Sequence, residues 1–326
     1  MRTAAHLVTI MIPTYNQARY TAQAVESAFL QSYANIEVVV SDDASADNTR
    51  EVMERFKGER VFRYHRNAVN IGRVGNYRRL LYELAKGDLM LNLDGDDLLA
   101  DPNYIAQAVD LFEQMPDLAL VFADKKSFTG DPPSLSWAAK SPVRLLDGKE
   151  VLLNYWRREF VLNHLTAIYK RADAMAIDFY SKDIISTDME SLLRLIYGRR
   201  IAKVETIGGF WRHHGSNASV RLSVSKALMN LSMIESIYEF LRVRHPESMS
   251  RLDRWRRRFL KSRIYGLFTT HFWDKKRYWE GFRFLARVSQ QYCWALFCLA
   301  ADLRFSARLL FPPIGPWINK IKSLVR

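Results

Sequence analysis

Leu7-Val8-Thr9-Ile10-Met11-Ile12-Pro13-Thr14-Tyr15-Asn16 is the stretch that decides the fold class. A near-continuous apolar run stopped by proline has no polar face, so it reads as a strand buried on both sides that then enters a turn. Ile36–Val40 repeats the pattern ahead of Ser41-Asp42-Asp43-Ala44-Ser45. Between the two, Ala22, Val25, Ala28 and Phe29 recur at helical spacing in a segment, 17–31, that holds neither Gly nor Pro. The alternation continues outward. Ser45 or Asp47 can cap a helix carrying Val52, Met53 and Phe56, which Gly58 stops, and Val61–Tyr64 makes a third strand. Tyr77, Leu80, Leu81 and Leu84 line a helix face, with Gly87 as its left-handed cap. Leu89–Leu93 is a fourth strand, Asp101-Pro102 opens another helix, and Leu118–Phe122 is a fifth strand. Strands alternating with helices at this spacing imply an α/β chain with a doubly wound, mostly parallel sheet.

Such sheets bind ligands beyond the carboxyl ends of their strands. Three acidic segments follow strand ends here: Asp42-Asp43, Asp94-Gly95-Asp96-Asp97 and, more weakly, Asp124. Three carboxylates in four residues repel one another unless solvent screens them or a cation sits among them. A solvated turn accounts for the same residues without a ligand. A calcium loop of the EF-hand type is excluded, because its glycine and closing glutamate are missing. Oxygen ligands alternating in a loop suit Mg²⁺ or Mn²⁺ shared with a diphosphate.

Taken in order, Val8–Asn16, Val40–Thr49, Asn70-Ile71-Gly72 and Leu93–Asp97 resemble the inverting family-2 glycosyltransferases of GT-A fold, over roughly the first 125 residues. The resemblance implies a nucleotide pocket made by Pro13, Thr14, Tyr15 and Asp42. There Tyr15 offers a ring face for a base and Asp42 accepts from a ring N–H; a packed rim aromatic and an Asx-turn residue are the plainer roles. Ala44 stands where the family often has glycine, which implies that this turn avoids positive φ. Asp94 and Asp96 match the Asp-x-Asp motif of ribose and metal-diphosphate contacts, with Asp97 beside them, and an arginine among Arg66, Arg73, Arg78 and Arg79, here assigned to Arg73, reaches the diphosphate. Ser186-Thr187-Asp188-Met189-Glu190 aligns with the segment that supplies the catalytic base, which falls on Asp188. Glu190 could instead close a capping box from Thr187, and Asp188 could be a first-turn dipole residue. Phe210-Trp211-Arg212-His213-His214-Gly215-Ser216-Asn217-Ala218-Ser219 resembles the family's later motif. It implies Arg212 and His214 beside the diphosphate, His214 as a third metal ligand, and Trp211 in the sugar or acceptor pocket. Residues 128–164, rich in Pro, Ser and Trp, fit an acceptor-facing insertion.

Composition bears on the rest. The 326 residues are 48% hydrophobic and 13% aromatic, which excludes disorder, and two cysteines cannot build a disulfide framework. The net charge of +13 is confined to the last third: 1–222 is balanced, while 223–326 carries the whole excess. No signal peptide is expected, and no apolar stretch approaches the roughly 20 residues of a membrane span. Within the tail, Arg254-Trp255-Arg256-Arg257-Arg258-Phe259-Leu260-Lys261-Ser262-Arg263 interleaves cations and aromatics, and Trp294, Phe297, Phe305, Leu309, Leu310, Phe311 and Trp317 add apolar mass. A solvated helix face or a nucleic-acid arm would use the cations alone; an anionic membrane surface uses both. The expectation is therefore a cytoplasmic transferase, peripheral on the inner face of the cell membrane. Its GT-A region spans 1–222, with a nucleotide-sugar half 1–125 and an acceptor half 126–222, followed by a helical tail 223–326. Its partners would be a UDP-linked donor and a glycan or lipid-linked acceptor, with Mn²⁺ or Mg²⁺ and no nucleic acid. The rivals are a metal-dependent nucleotidyltransferase, disfavoured by the lack of a Gly-rich lysine loop after the first strand, and a non-catalytic scaffold with a nucleic-acid-binding tail.

Overall fold

The two apolar runs become neighbouring central strands. In the computed structural model, which describes residues 6–59, 61–135, 140–215 and 222–300, β1 (Val8–Thr14) and β2 (Ile36–Asp42) are buried at every position. They pair in parallel, Val8 with Ile36 through Thr14 with Asp42. α1 (Ala18–Phe29) lays Ala22, Val25 and Ala28 on this sheet, and β3 (Phe62–Arg66) and β4 (Leu89–Asn92) extend it in parallel. α2 (Thr49–Glu54), α3 (Arg73–Arg79, continued by a π-helical turn over Leu80–Leu84) and α4 (Tyr104–Gln114) supply the crossovers, and α5 (Gly148–Asn154), α6 (Arg171–Ala176) and α7 (Thr187–Ile196) follow among the later strands. The sheet reaches nine strands by adding β5 (Leu98–Leu99), β6 (Leu118–Phe128), β7 (Val143–Asp147), β8 (Ile168–Lys170) and β9 (Arg200–Arg212). Its order is β3-β2-β1-β4-β8-β6-β9-β5, with β7 on β9. β1 to β4, β6 and β9 run one way; β5, β7 and β8 run against them. The mostly parallel α/β expectation holds, and the carboxyl ends of β1, β2, β4, β6 and β9 share one edge.

Three local expectations change. Gly87 is not a left-handed cap: a Cβ there would stand 2.6 Å from Thr9 Oγ1 and 2.7 Å from Leu7 O, so glycine is required by close packing on β1. α4 starts at Tyr104, after Pro102, because the Asp101 carboxylate accepts the Asn103 N–H and makes a separate turn first. Asp124 lies within β6 rather than after it, paired with Lys203 at 2.7 Å.

The chain divides into two compact units, Met1–Asn217 and Ala218–Arg326. The second contains α8 (Val224–Arg244), α9 (Met249–Leu267, with a π-helical turn over Phe268–Trp273) and α10 (Tyr278–Ala300). The 254–263 run is the amphipathic pattern of α9 itself. Trp255, Phe259 and Leu260 point into the unit's core while Arg254, Arg257 and Arg258 face solvent, so these aromatics are not offered to a surface. The Phe297 side chain and Phe305, Leu309, Leu310, Phe311 and Trp317 lie outside the described residues. Among the described residues, no helix is long and apolar enough to cross a membrane.

Candidate active site

Two strand-end turns are stitched together at the carboxyl edge. The Asn16 N–H donates to Ser45 Oγ (2.8 Å), Ala46 N–H to Asn16 Oδ1 (2.7 Å) and Ala18 N–H, in the first turn of α1, to Asp47 Oδ2 (3.1 Å). Tyr15 stands clear between them, 48% exposed, while Pro13 and Thr14 are buried beneath. Asp42 lies below the surface with no exposed area. Its carboxylate accepts Ser45 N–H (2.9 Å) and Tyr64 Oη–H (2.7 Å), with Arg66 Nε at 3.5 Å, so the Asx-turn role is filled within the chain. Ala44 has φ 61°, so the expectation that this turn avoids positive φ is wrong. The Asp42 acceptor and the Ala44 N–H bond back to Asp42 O (2.9 Å) hold alanine in the left-handed region. Gly72 at φ 80° does need glycine, and its N–H is taken by Asn70 Oδ1 (3.0 Å).

The acidic loop leaves β4 and leans on the end of β1: Gly95 N–H donates to Pro13 O (3.1 Å), and a Cβ on Gly95 would meet that oxygen at 3.0 Å. Each aspartate then has a different partner. Asp94 Oδ1 accepts Tyr77 Oη–H (2.8 Å) and Asn92 Nδ2–H (2.9 Å). Asp96 Oδ2 meets His214 Nε2 at 2.7 Å, and both side chains are nearly buried. Asp97 accepts the Arg212 N–H (3.0 Å). Burial and the charge of Asp94 push the Asp96 carboxyl up; burial, Asp96 and Asp94 push Asp97 well up. Arg212 is buried and its guanidinium is spent inside the chain, on Asp96 O (3.0 Å), Gly130 O (3.1 Å) and Gln23 Oε1 (2.6 Å), between the rings of Tyr20 and Phe128. It braces the loop from behind. Ser216, Asn217 and Ser219 of its motif lie outside the described residues.

Asp188, part-exposed in the first turn of α7 (Thr187–Ile196), looks across at this loop. Its charge acts on Arg73, Tyr77, Lys125 and His164. Arg73 donates to Ile184 O and Ile185 O, both at 2.9 Å, at the entrance to α7; desolvation works against its charge, but Tyr77, Asp188 and Asp94 raise its pKa further. Two of the other arginines turn away, Arg78 to Asp178 and Arg79 to Asn67 and Glu83, while Arg66 stays on the Asp42 turn, donating to Ser45 O (3.0 Å) with Nε 3.5 Å from Asp42. Glu190 makes no capping box. It is buried against Arg194 at 2.9 Å, and no side chain caps α7.

Two members of the site escape a reading of the sequence. A bulge at Asp124 in the β6–β9 ladder re-aims Lys125 onto the Trp211 ring, 4.2 Å away, where burial lowers its pKa against the pull of Asp97, Asp188 and Asp94. His164 links Asn92 Nδ2 (3.3 Å) to Tyr180 Oη (2.6 Å), and burial lowers its pKa, so it sits as a neutral strut under Asp94. The bulge and the long-range pairing leave no local pattern that would find either. Pro13, Thr14, Tyr15, Asp94, Asp96, Asp97, Trp211, Arg212 and His214 do come together at the carboxyl edge, with Asp188 and Arg73 facing them. Among the described residues, no group of three His, Cys, Asp or Glu side chains gathers as a metal site; Asp96 and His214 form a pair.

The family model described as Glycosyl transferase family 2 matches residues 9–177, just over half of the chain. The chondroitin synthase of Pasteurella multocida is 31% identical over 223 residues, covering 66% of this chain and 21% of that protein. The chain spans about a third or less of the curated relatives it matches. Among solved structures, Staphylococcus aureus TarS 1–349 in complex with UDP-GlcNAc aligns with a TM-score of 0.64 at 17% identity, covering 81% of this chain and 76% of that one. The mannosyltransferase PcManGT of Pyrobaculum calidifontis, in complex with GDP-Man and Mn²⁺, aligns with a TM-score of 0.56 at 16% identity, covering 99% and 86%. These likenesses establish the fold as GT-A.

Proposed function

The chain belongs to glycosyl transferase family 2, and on that premise we propose that it transfers a hexosyl or N-acetylhexosaminyl group, with inversion, from a UDP-linked donor to a hydroxyl of a glycan or lipid-linked glycan in cell-surface polysaccharide synthesis. The observation that carries this reading is one sheet edge that bears an exposed aromatic, Tyr15, an acidic loop, Asp94–Asp97, and a facing acid, Asp188. The UDP-GlcNAc complex of TarS supports the donor class.

In this mechanism Tyr15 stacks on the base above Pro13 and Thr14, and Asp42 fixes the turn from below. Asp94 takes the ribose, and Arg73 faces the diphosphate. Asp188 removes the proton of the acceptor hydroxyl as that oxygen bonds to the anomeric carbon, on the face opposite the nucleotide. The bond from that carbon to the β-phosphate oxygen breaks, and the diphosphate leaves with the electron pair. Trp211 and Asp97 flank the sugar and diphosphate, and Arg212 keeps the loop in place. The donor set fits a divalent cation: burial and the neighbouring charge of Asp94 work against the Asp96 carboxylate, a cost that positive charge relieves, and the Asp96–His214 pair offers oxygen and nitrogen together. Mn²⁺ or Mg²⁺ would be held by the Asp96–His214 pair, with Asp94, engaged by Tyr77 and Asn92, adding its charge from beside them, and would offset the charge of the departing diphosphate. In the same reading, residues 1–222 are the catalytic region and the basic tail holds it on the cytoplasmic face of the cell membrane.

The test is thermal unfolding with UDP and Mn²⁺. A rise in Tm that disappears in Asp96→Ala is expected; a wild-type chain that does not respond to nucleotide sinks the reading.

A further inference from the structure

Among the described residues of the second unit, most aromatics are buried or half-buried and one group is exposed. Trp279 is 75% exposed, Phe282 47% and Tyr278 38%, all within the first turn and a half of α10. Solitary exposed aromatics are ordinary; three contiguous ones on a helix end are not. They are also held in place from beneath. Trp273, 5% exposed, packs edge-on under Tyr278 (4.8 Å between ring centroids) and Phe282 (6.1 Å), and itself rests on Phe268 (5.3 Å). The patch is therefore set on the unit's core, and Trp279 projects beyond it.

Cations surround it. Lys275 and Lys276 lie exposed just before α10, and Arg283 and Arg287 follow on the same exposed stripe as Trp279 and Phe282, at helical spacing. The acids of this stretch are Asp274 and Glu280, and Glu280 is ion-paired to Arg277. Aromatics at the tip with a positive ring around them match the interface of an anionic bilayer, where amphipathic rings sit at headgroup depth and cations meet the surface potential.

We propose that Tyr278, Trp279 and Phe282, ringed by Lys275, Lys276, Arg283 and Arg287, form the surface by which the chain docks on an anionic lipid bilayer. This rests on the peripheral-membrane part of the proposed function and assigns it to α10 instead of the 254–263 run, whose aromatics are buried. Docking and donor binding are read out separately, so either can fail alone.

The experiment is co-sedimentation of the full chain with phosphatidylcholine vesicles, with and without phosphatidylglycerol, over a salt series. Binding that requires phosphatidylglycerol and weakens with salt is expected. Trp279→Ser should weaken it by about tenfold or more, and Lys275→Gln with Lys276→Gln by about fivefold per cation removed. Arg254→Gln with Arg257→Gln should change it less than either. Trp279 is mostly in solvent, so circular dichroism should show an unchanged melt; Phe282→Ser is the second variant should Trp279→Ser misfold. Wild-type binding by Trp279→Ser and Phe282→Ser, or no binding by the wild type to anionic vesicles, overturns the proposal. So does light scattering that shows a dimer dissolved by Trp279→Ser, which would make the patch an interface between copies. The Tm response to UDP and Mn²⁺ should be the same in all these variants, which separates a failed docking surface from a failed transferase.

Discussion

Asp188 and Glu190 stand two residues apart at the start of α7, and exchanging each for its amide should give opposite results. Glu190 has no exposed side-chain surface, and its partner Arg194 is only 5% exposed, 2.9 Å away. The same guanidinium donates to Ile177 O (2.7 Å), Asp178 O (3.1 Å) and Ser181 Oγ (3.2 Å), pinning the preceding loop to the helix. Glu190→Gln keeps the shape and removes the charge. A hydrogen bond to a charged group is worth about 1.5–3 kcal/mol, and breaking a buried pair costs about 3–5 kcal/mol, so a loss of about 2–4 kcal/mol is expected. Turnover per folded molecule should not change. Asp188→Asn touches a part-exposed helix start and should cost under about 1 kcal/mol of stability. Removing a general base lowers the rate by about 10²–10⁴, equivalent to about 2.7–5.5 kcal/mol of barrier. Urea unfolding followed by far-UV circular dichroism gives the first quantity, and release of nucleoside diphosphate gives the second. The reasoning is refuted if Glu190→Gln abolishes turnover at an unchanged urea midpoint, or if Asp188→Asn turns over like wild type. Glu190→Leu combined with Arg194→Leu should cost less than the sum of its single changes, because neither charge is left alone.

Further outcomes follow from individual contacts. Ala44→Gly should raise the urea midpoint, since a left-handed alanine costs about 1–2 kcal/mol and the added chain entropy of glycine takes back about 0.4–1. Gly95→Ala would press a methyl onto Pro13 O at 3.0 Å and shift the acidic loop by a few tenths of an ångström. Titration with UDP and Mn²⁺ should show about tenfold weaker binding at nearly unchanged stability. Glu37 is 8% exposed; burial opposes its ionisation, but bonds from Thr9, Lys86 N–H (2.6 Å) and Arg63 (2.7 Å) outweigh it and hold the carboxyl below its ordinary 4.5. A depressed pKa adds stability that is present above 4.5 and lost as pH falls through the folded value. Glu37→Gln should therefore cost about 1–3 kcal/mol at neutral pH, a gap to wild type that closes in acid.

The centre of the parallel sheet was legible because β1, β2 and β4 are mainly apolar runs ended by turn residues, and burial on two faces leaves that mark in the chain itself; β3, Phe62–Arg66, is half-buried and carries it only weakly. β8 has only three residues, Ile168–Lys170, and its place between β4 and β6 comes from antiparallel pairings with strands far away in sequence. No local pattern encodes that. The site followed the same division. Within the candidate site, Tyr15, Asp94, Asp96 and Asp188 are pointed to by motifs beside strand or helix ends. Lys125 and His164 depend on a bulge and on a hydrogen-bonded strut, which are properties of the assembled sheet. Ala44 misled for another reason: a side chain implies ordinary φ only when nothing around it insists otherwise, and here the Asp42 carboxylate does.

The brace behind the acidic loop also sets an order on the making of this protein. Asp97 is satisfied by the N–H of Arg212, 115 residues further along, and Gln23 waits 189 residues for the same side chain. A nascent chain that has already paired β1 to β4 holds Asp94 through Tyr77 and Asn92, but Asp96 and Asp97 still await His214 and Arg212. The brace on the acidic loop is then the last part of the candidate site to form during synthesis of the first unit, arriving only when β9 closes alongside β6.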